Sequence, residues 1–131
     1  MNDEFKLVSI HGPYETHFVD EPDKSLTLKN DPGLKWDKKK LRMDLIPVEA
    51  LERIAEVLTY GAGRYGDWNW SRGISWSRTY AAALRHLLAW FRGEDLDPES
   101  GLSHLAHCAC NLIFLLQFSK TKKEFDDRNC L

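Results

Sequence analysis

The 131-residue sequence is poor in several features that define common classes of protein. Its three cysteines, Cys108, Cys110 and Cys130, form neither a disulfide framework nor a zinc-finger pattern. No apolar run approaches the roughly 20 residues that a membrane span needs. The formal net charge is only -2, which argues against a general nucleic-acid binder or a protein of anionic membrane surfaces. We therefore expect neither nucleic acid nor a membrane as a partner.

Several familiar catalytic and targeting motifs are missing as well. The sequence contains no His-Glu-x-x-His of zinc peptidases, no Gly-x-Ser-x-Gly of serine hydrolases and no glycine-rich Walker loop. The first residues, Met-Asn-Asp-Glu-Phe-Lys, are polar and acidic, unlike a secretory signal peptide. A reducing cytoplasm suits this composition and the few cysteines best.

Apolar residues recur at helical spacing in three segments, which predicts an all-α domain. We expect helices over residues 47–60, 75–92 and 98–120, the first ending where Gly61-Ala-Gly63 begins. Residues 1–35 are broken by Gly and Pro and predict an extended arm that has room for a hairpin. The predicted organisation is an arm over 1–35, a helical domain over 36–120 and a polar tail over 121–131.

The apolar faces of these helices predict how they pack. On the first helix the buried stripe should be Val48, Leu51, Ala55 and Leu58, with three glutamates on the opposite side. The second helix is apolar over most of its circumference, which favours a central position in the bundle. Three helices of this length cannot fully cover it, so we expect a homodimer or homotetramer to complete the bundle.

Two helical stripes carry side chains that can bind a metal ion. His104, His107 and Asn111 are spaced i, i+3 and i+7, and Glu49, Glu52 and Glu56 form a similar stripe on the first helix. Imidazole and carboxylate groups can share a divalent metal. The alternatives are a solvated glutamate face and histidines that are hydrogen-bonded core residues. The acidic loop 94–100 either caps the third helix or forms a loose cation loop.

Cationic and aromatic residues flank the first helix. Lys38, Arg42 and Arg64 are either ordinary surface residues or groups that neutralise the oxygens of a triphosphate. In the following loop, Asn69 and Trp70 offer an amide and a flat ring for reading and stacking on a purine. The alternative for the tryptophans of this loop is that they pin it to the bundle.

Six segments in the same order resemble the phage dATP/dGTP diphosphohydrolase family, which is thought to be related to the all-α nucleotide pyrophosphatases of the MazG type. They are Arg42-Met-Asp-Leu-Ile-Pro-Val-Glu-Ala-Leu51, Tyr60-Gly-Ala-Gly-Arg-Tyr-Gly66, Asn69-Trp70, Arg85-His86, Gly93-Glu-Asp-Leu-Asp-Pro-Glu-Ser-Gly-Leu102 and His104-Leu-Ala-His107. The resemblance implies an all-helical, oligomeric enzyme that hydrolyses dGTP and dATP to the monophosphate and pyrophosphate with Mn²⁺ or Mg²⁺. It would act in the host cytoplasm if the gene belongs to a phage.

The wider MazG pattern has acids where this sequence has His104-x-x-His107, so the resemblance also allows Co²⁺ or Zn²⁺. We expect the metal ligands to be Glu49, Glu52, Glu56, His104 and His107. The expected catalytic residues are His86 and Glu52. The expected substrate-binding residues are Lys38, Arg42, Arg64, Asn69, Trp70 and Arg85. The alternatives are a non-catalytic purine nucleotide sensor and a triphosphohydrolase of the His-Asp type, whose adjacent His-Asp pair this sequence lacks.

Overall fold

A computed structural model describes residues 39–128 of the chain. The chain divides into two units, Met1–Leu45 and Ile46–Leu131. The first unit is described only at residues 39–45, where a 3₁₀ turn spans Met43–Leu45. The predicted arm over residues 1–35, the expected phosphate-binding residue Lys38 and Cys130 lie outside the described residues.

The second unit is built from three helices: α1 (Val48–Tyr65), α2 (Trp76–Phe91) and α3 (His104–Thr121). Two 3₁₀ turns, Asn69–Arg72 and Lys123–Phe125, follow α1 and α3. Residues 46–128 contain no strand, only a single antiparallel bridge between Leu96 and Ser103. The prediction of an all-α domain with three main helices is confirmed. No helix in the described range is long and apolar enough to cross a lipid bilayer.

The end of α1 lies five residues beyond the predicted one. The helix continues through Gly61 and Gly63 to Tyr65, and Gly66, at a φ of 89°, ends it. Glycine costs a helix interior about 1 kcal/mol relative to alanine, which is a penalty and not a prohibition. The prediction of an end near Tyr60 was wrong because the left-handed conformation that stops the helix occurs only at the third glycine.

The start of α3 also differs from the prediction, since the helix begins at His104 and not at residue 98. Ser103 is its N-cap and accepts a hydrogen bond from the Ala106 amide at 3.4 Å. Gly101 has a φ of 70°, which interrupts any helix that starts earlier. Of the two alternatives for the acidic loop, capping of α3 does not apply to the side chain of Asp97, whose carboxylate accepts hydrogen bonds from Ser100 instead.

The central helix is α3, and the prediction that the second helix lies centrally was wrong. It packs against both α1 and α2, most extensively against α2. It is apolar around most of its circumference, whereas α2 carries a stripe of arginines. Phe118 of α3 is fully buried, and a small cluster joins Val57 of α1 to Ala106 and Cys110 of α3.

The apolar stripe of α1 faces solvent in the single chain. Val48 is 68% exposed and Leu51 51% exposed, and Ala55 and Leu58 are exposed too, whereas Val57 is buried against α3. The predicted burial of this stripe is not observed within the single chain, because helical periodicity identifies an apolar face but not the surface that covers it. The contact with α3 uses the neighbouring face of α1.

The segment after α3 packs against the start of α2. The Trp76 ring nitrogen donates to the Lys122 carbonyl at 3.2 Å, and the Asp127 carboxylate accepts from the Ser77 amide at 2.8 Å. The second contact satisfies an amide in the first turn of α2, where a carboxylate also interacts favourably with the helix dipole. The observed ends of α2, Trp76 and Phe91, agree with the predicted range of 75–92 within one residue.

Candidate functional site

Three histidines from two helices meet beside the acidic loop. His86 lies on α2, and His104 and His107 lie one turn apart on α3. The Nδ1 atoms of His86 and His104 are 2.9 Å apart. The rings of His86 and His107 are stacked, with centroids 4.5 Å apart and planes 11° from parallel. The close packing of α2 on α3 therefore produces an imidazole cluster that neither helix forms by itself.

The acidic loop folds back so that Asp97 reaches this cluster. The Asp97 amide donates to the Leu102 carbonyl at 2.8 Å, and the His104 amide donates to the Asp95 carbonyl at 2.9 Å. The backbone amide and the hydroxyl of Ser100 both donate to Asp97 Oδ2, at 3.0 and 2.8 Å. These bonds fix the carboxylate on a tight turn next to the first turn of α3.

Ser100 links Asp97 to His107. Its Oγ lies 2.8 Å from His107 Nε2, which is itself 3.9 Å from Asp97 Oδ2. Because the single hydroxyl proton of Ser100 goes to Asp97, the neutral tautomer of His107 that satisfies both contacts carries its proton on Nε2. Nδ1 of that tautomer keeps a lone pair, as a general base requires.

The protonation states follow from burial and from this network. Burial lowers the pKa of His86, and the neighbouring His107 lowers it further. Burial also lowers the pKa of His107, against the opposing effect of the Asp97 carboxylate. Burial by itself raises the pKa of Asp97, but the hydrogen bonds from Ser100 outweigh it, so this pKa lies below its usual value. At neutral pH these groups are two neutral imidazoles and a carboxylate, the forms that bind a metal ion.

One ring nitrogen of the cluster lacks a hydrogen-bond partner. His104 is buried, and its Nε2 is the one buried side-chain nitrogen or oxygen without such a partner in the part of the chain described. Glu94 Oε1 lies 3.6 Å away, beyond hydrogen-bonding distance. Ligand atoms of His86, Asp97 and His104 all lie within 4.8 Å of one another. The donor set therefore has the composition and spacing of a metal site.

A cleft of about 780 Å³ borders the cluster. His86, Asp97 and His107 line one part of it, and the C-terminal half of α1 and the loop after α1 line another. Its charged lining residues, among those described, are Arg64, Arg78, Asp67, Asp97 and Glu99. A volume of this order lies in the range of pockets that hold small organic ligands.

Aromatic rings line the cleft on the side of the loop after α1. Trp70 stacks on Phe114 of α3, with centroids 5.5 Å apart and planes 18° from parallel, and lies 6.5 Å from Phe118. Trp68 is 72% exposed and adopts a left-handed backbone conformation, with a φ of 60°. Asn69, between them, also lines the cleft. Trp70 thus attaches the loop to α3, while Trp68 leaves most of its surface open.

Comparison with known proteins gives the family. Residues 30–128 match the family described as dATP/dGTP diphosphohydrolase, N-terminal. The chain belongs to this family. It is also similar to a dATP/dGTP diphosphohydrolase of Salmonella phage PMBT28, with 36% identity over 96 residues. That match covers 73% of this chain and 33% of the phage protein, so the chain spans about a third of the length of this relative. No solved structure matches the chain.

The resemblance to the phage dATP/dGTP diphosphohydrolase family is therefore confirmed.

The structure locates the residues that the sequence led us to expect as metal ligands. His104 belongs to the group of converging ligand atoms, and His107 lies beside it. Glu49 is exposed on α1, and Glu52 and Glu56 line a second depression with Ser100 and Leu102, which shares Thr59 and Tyr60 with the cleft. Two of the five expected ligands therefore belong to the histidine cluster, and the three glutamates are not among its converging ligand atoms.

The residues expected to bind phosphate are also divided. Arg64 lines the cleft and forms an ion pair with Glu99, and it lies 3.0 Å from the Tyr60 hydroxyl. Arg85 is exposed and does not line the cleft, although the next residue, His86, does. In the first unit, Arg42 pairs with Asp44 at 2.5 Å.

Sequence reasoning missed several residues of this site. Asp97 and Ser100 were treated only as part of a capping or cation loop, and Glu94 and Arg78 were not selected. The one signal for Asp97 was its place in a loop with five acidic or hydroxyl side chains directly before a histidine pair. Arg78 carried no signal, because its stripe on α2 also contains Arg85 and Arg92, which do not line the cleft.

Proposed function

We propose that this domain binds a purine deoxynucleoside triphosphate in the cleft and hydrolyses it to the monophosphate and pyrophosphate with the help of a divalent metal ion. The observation that supports this best is a cluster of three imidazoles and a carboxylate, of which His86, His107 and Asp97 line a ligand-sized cleft. The name of the phage relative points to the same substrates for that longer protein.

The charges of the cleft support a metal requirement. Its described lining offers two arginines, Arg64 and Arg78, against three carboxylates. A triphosphate adds about four negative charges, and phosphate sites depend on cations to neutralise them. The described lining residues alone leave this excess uncompensated, so a bound cation makes the site suitable for a triphosphate.

The residues present fit a divalent cation. The Nδ1 atoms of His86 and His104 are 2.9 Å apart, and ligand atoms of His86, His104 and Asp97 all lie within 4.8 Å of one another. When bound, a divalent ion in such a site supplies charge neutralisation on the phosphate oxygens and acidifies water. Nitrogen donors suit Mn²⁺, Co²⁺ or Zn²⁺ better than Mg²⁺, because magnesium sites in proteins are built mostly from oxygen ligands.

The aromatic side of the cleft suits the base. Trp70 offers a ring already fixed by Phe114, and Asn69 offers an amide donor and acceptor beside it. A fixed ring loses little conformational freedom when a base stacks on it. We place the purine on Trp70, with Asn69 at its edge and the phosphates toward Arg64, Arg78 and the histidines.

In the reaction, a water oxygen forms a bond to the α-phosphorus while the bond from that phosphorus to the oxygen of the β-phosphate breaks. His107 accepts the proton of the water on Nδ1, and the released pyrophosphate keeps the bridging oxygen. Asp97 stabilises the imidazolium through Ser100, as a carboxylate does for other catalytic histidines. The arginines stabilise the charge that develops on the leaving group. His86 is less suited to be this base, because its Nδ1 already faces His104.

The test is product identification. Purified protein is incubated with dGTP or dATP and with Mn²⁺, Co²⁺ or Mg²⁺, and the products are separated by anion-exchange chromatography. We expect monophosphate and pyrophosphate in equal amounts, and no turnover in excess chelator. His107→Gln should lower turnover by about 100-fold or more, as loss of a general base does, while the circular dichroism spectrum stays unchanged. Glu49→Gln, on the exposed stripe, is the control and should retain turnover.

A second function is favoured by one observation. The matching family describes an N-terminal region, and the chain spans about a third of its phage relative. A domain of this kind can bind purine nucleotide without hydrolysing it. Calorimetry distinguishes the two, because binding of dGTP without any release of pyrophosphate supports the binding module. Release of intact triphosphate contradicts both functions.

A further inference from the structure

The most informative group in the molecule is formed by one side chain from each of three elements. His86 comes from α2, Asp97 from the acidic loop and His104 from α3, and a ligand atom of each lies within 4.8 Å of the other two. Adjacent ligands of a metal ion bound at about 2.1 Å are separated by about 3 Å in octahedral geometry. The distance of 2.9 Å between the two Nδ1 atoms matches that separation.

A simple hydrogen bond between the two imidazoles is the competing explanation. In that case one Nδ1 donates to the other. When His104 is the donor, its buried Nε2 is an acceptor that lacks a donor, because the neighbouring Glu94 is a carboxylate. When His86 is the donor, Nε2 of His104 carries a proton that Glu94 can accept, as it does with a metal bound, so metal titration decides between the two. A buried polar atom without a partner costs about 1–3 kcal/mol. When Nδ1 of a histidine binds a metal, Nε2 carries the proton and is oriented by a second group, commonly a carboxylate. Glu94 Oε1, 3.6 Å from this Nε2, is placed for that contact after a small side-chain rotation.

We propose that His86 Nδ1, His104 Nδ1 and a carboxylate oxygen of Asp97 form a binding site for one first-row transition-metal ion, and that Glu94 is a positioning residue that orients His104. The proposal refines the proposed function, on which its role in catalysis rests, because it names the atoms that bind the cation. It differs from the ligand set expected from the sequence, which included the glutamate stripe of α1.

The acidic loop explains how the third ligand is held. Ser100 binds Asp97 Oδ2 through its amide and its hydroxyl, which leaves Oδ1 as the second oxygen of the carboxylate. Two backbone hydrogen bonds fix the loop on both sides of Asp97. One runs from the Asp97 amide to the Leu102 carbonyl, and the other from the His104 amide to the Asp95 carbonyl. Rigid placement of ligands by such contacts typically contributes 10- to 100-fold to metal affinity.

The experiment measures metal binding directly. Protein freed of metal with a chelating resin is titrated with Co²⁺, followed by visible absorption, and with Mn²⁺ and Zn²⁺ by calorimetry. We expect one ion per chain and Co²⁺ bands that indicate nitrogen ligands. Asp97→Asn and His86→Gln should weaken binding at least tenfold. Glu94→Gln should weaken it by about 10- to 100-fold, because a neutral amide orients the imidazole less strongly.

Matched variants control for general effects. Asp95→Asn removes a carboxylate from the same loop, and Asp95 contacts His104 through its backbone carbonyl, so binding should be retained. His107→Gln removes an imidazole one turn along α3 and should also leave binding within about threefold. Circular dichroism melts of the metal-free variants verify that each is folded. His86 is only half-buried, so His86→Gln keeps the test decisive if a variant at the buried His104 does not fold.

The outcomes separate this site from the proposed function. Failure of the wild-type protein to bind any of the three ions, or wild-type affinity in both Asp97→Asn and His86→Gln, overturns the site. An equal loss in Glu52→Gln also overturns it, since the ligands then include the stripe on α1. Turnover of dGTP without binding at this site retains the function and removes the site. Stoichiometric metal binding without turnover of dGTP retains the site and removes the function.

Discussion

Substitution of the two tryptophans beside the cleft tests whether the purine stacks on a ring that also holds the loop. Trp70 is half-buried and stacked on Phe114, whereas Trp68 is 72% exposed. Removing a fully buried aromatic side chain costs about 3–5 kcal/mol. Because Trp70 is only half-buried, we expect Trp70→Ala to lower the free energy of unfolding by about 2 kcal/mol. Trp68→Ala should change it by no more than about 0.5 kcal/mol.

The same variants differ in their expected effect on binding. A base stacked on an aromatic ring contributes about 1–3 kcal/mol, which corresponds to about a 5- to 150-fold change in Kd. Trp70→Ala should weaken binding by a factor in that range, and Trp68→Ala should weaken it less. Trp70→Phe keeps a ring against Phe114 and should recover part of both losses.

The assays are urea unfolding and calorimetric titration with a dGTP analogue whose α,β-bridge is methylene, at a temperature where every variant is folded. Unchanged stability of Trp70→Ala would refute the packing argument, because its ring would then not attach the loop to α3. Lower stability with unchanged Kd would show that Trp70 only pins the loop. If Trp68→Ala accounts for the whole loss of affinity, the base stacks on Trp68.

Three further predictions concern the base, the assembly and the loop. Asn69→Ala should change the ratio of dGTP to dATP affinity, measured by calorimetry, because an amide reads the edge at which these purines differ. Light scattering at micromolar concentration should give at least twice the 15.2 kDa mass of the chain. Leu51→Asp, on the exposed stripe of α1, should lower that mass without unfolding the chain. A monomeric wild-type protein would contradict the predicted oligomer. Gly73→Ala should cost more stability than Gly66→Ala in urea unfolding. Both positions have positive φ, worth about 1–2 kcal/mol for alanine, but only at Gly73 does the added Cβ overlap the Phe125 ring, for about 1–3 kcal/mol more. Equal losses would show that the ring moves aside freely.

The fold class and one helix could be predicted well because their signals are local. The end of α2 depends on Gly93, which has a φ of 95° and acts within a turn of the helix end. Ser75 occupies the N-cap position but makes no side-chain capping hydrogen bond. The exposed stripe of α1 could not be placed, because Val48 and Leu51 are as apolar as the buried Val57. Which apolar face meets α3 is decided by the shape of both helices, and periodicity does not contain that information.

The candidate site was predictable only in part, for a similar reason. The spacing of His104 and His107 correctly placed both on one side of a helix that borders the cleft. It did not show which groups oppose them, and the glutamates of α1 were as suitable chemically as His86 and Asp97. The choice between these partners depends on how α2 packs on α3 and on the course of the acidic loop, and both are tertiary features.

The shift of the start of α3 is what makes the proposed metal site geometrically feasible. Residues seven apart in one helix are separated by about 10 Å along its axis. A helix that began at residue 98, as predicted, would therefore leave Asp97 at its first end, about two turns away from His104. In the observed loop, Gly101 turns the chain at a φ of 70°, and the bond between the Asp97 amide and the Leu102 carbonyl closes the turn. Asp97 thereby reaches the same side of the cluster as His86 and His104. The hydrogen bonds of Ser100 and the backbone replace those that a helical turn would have supplied, so the loop can offer the proposed ligand without leaving these polar groups unpaired.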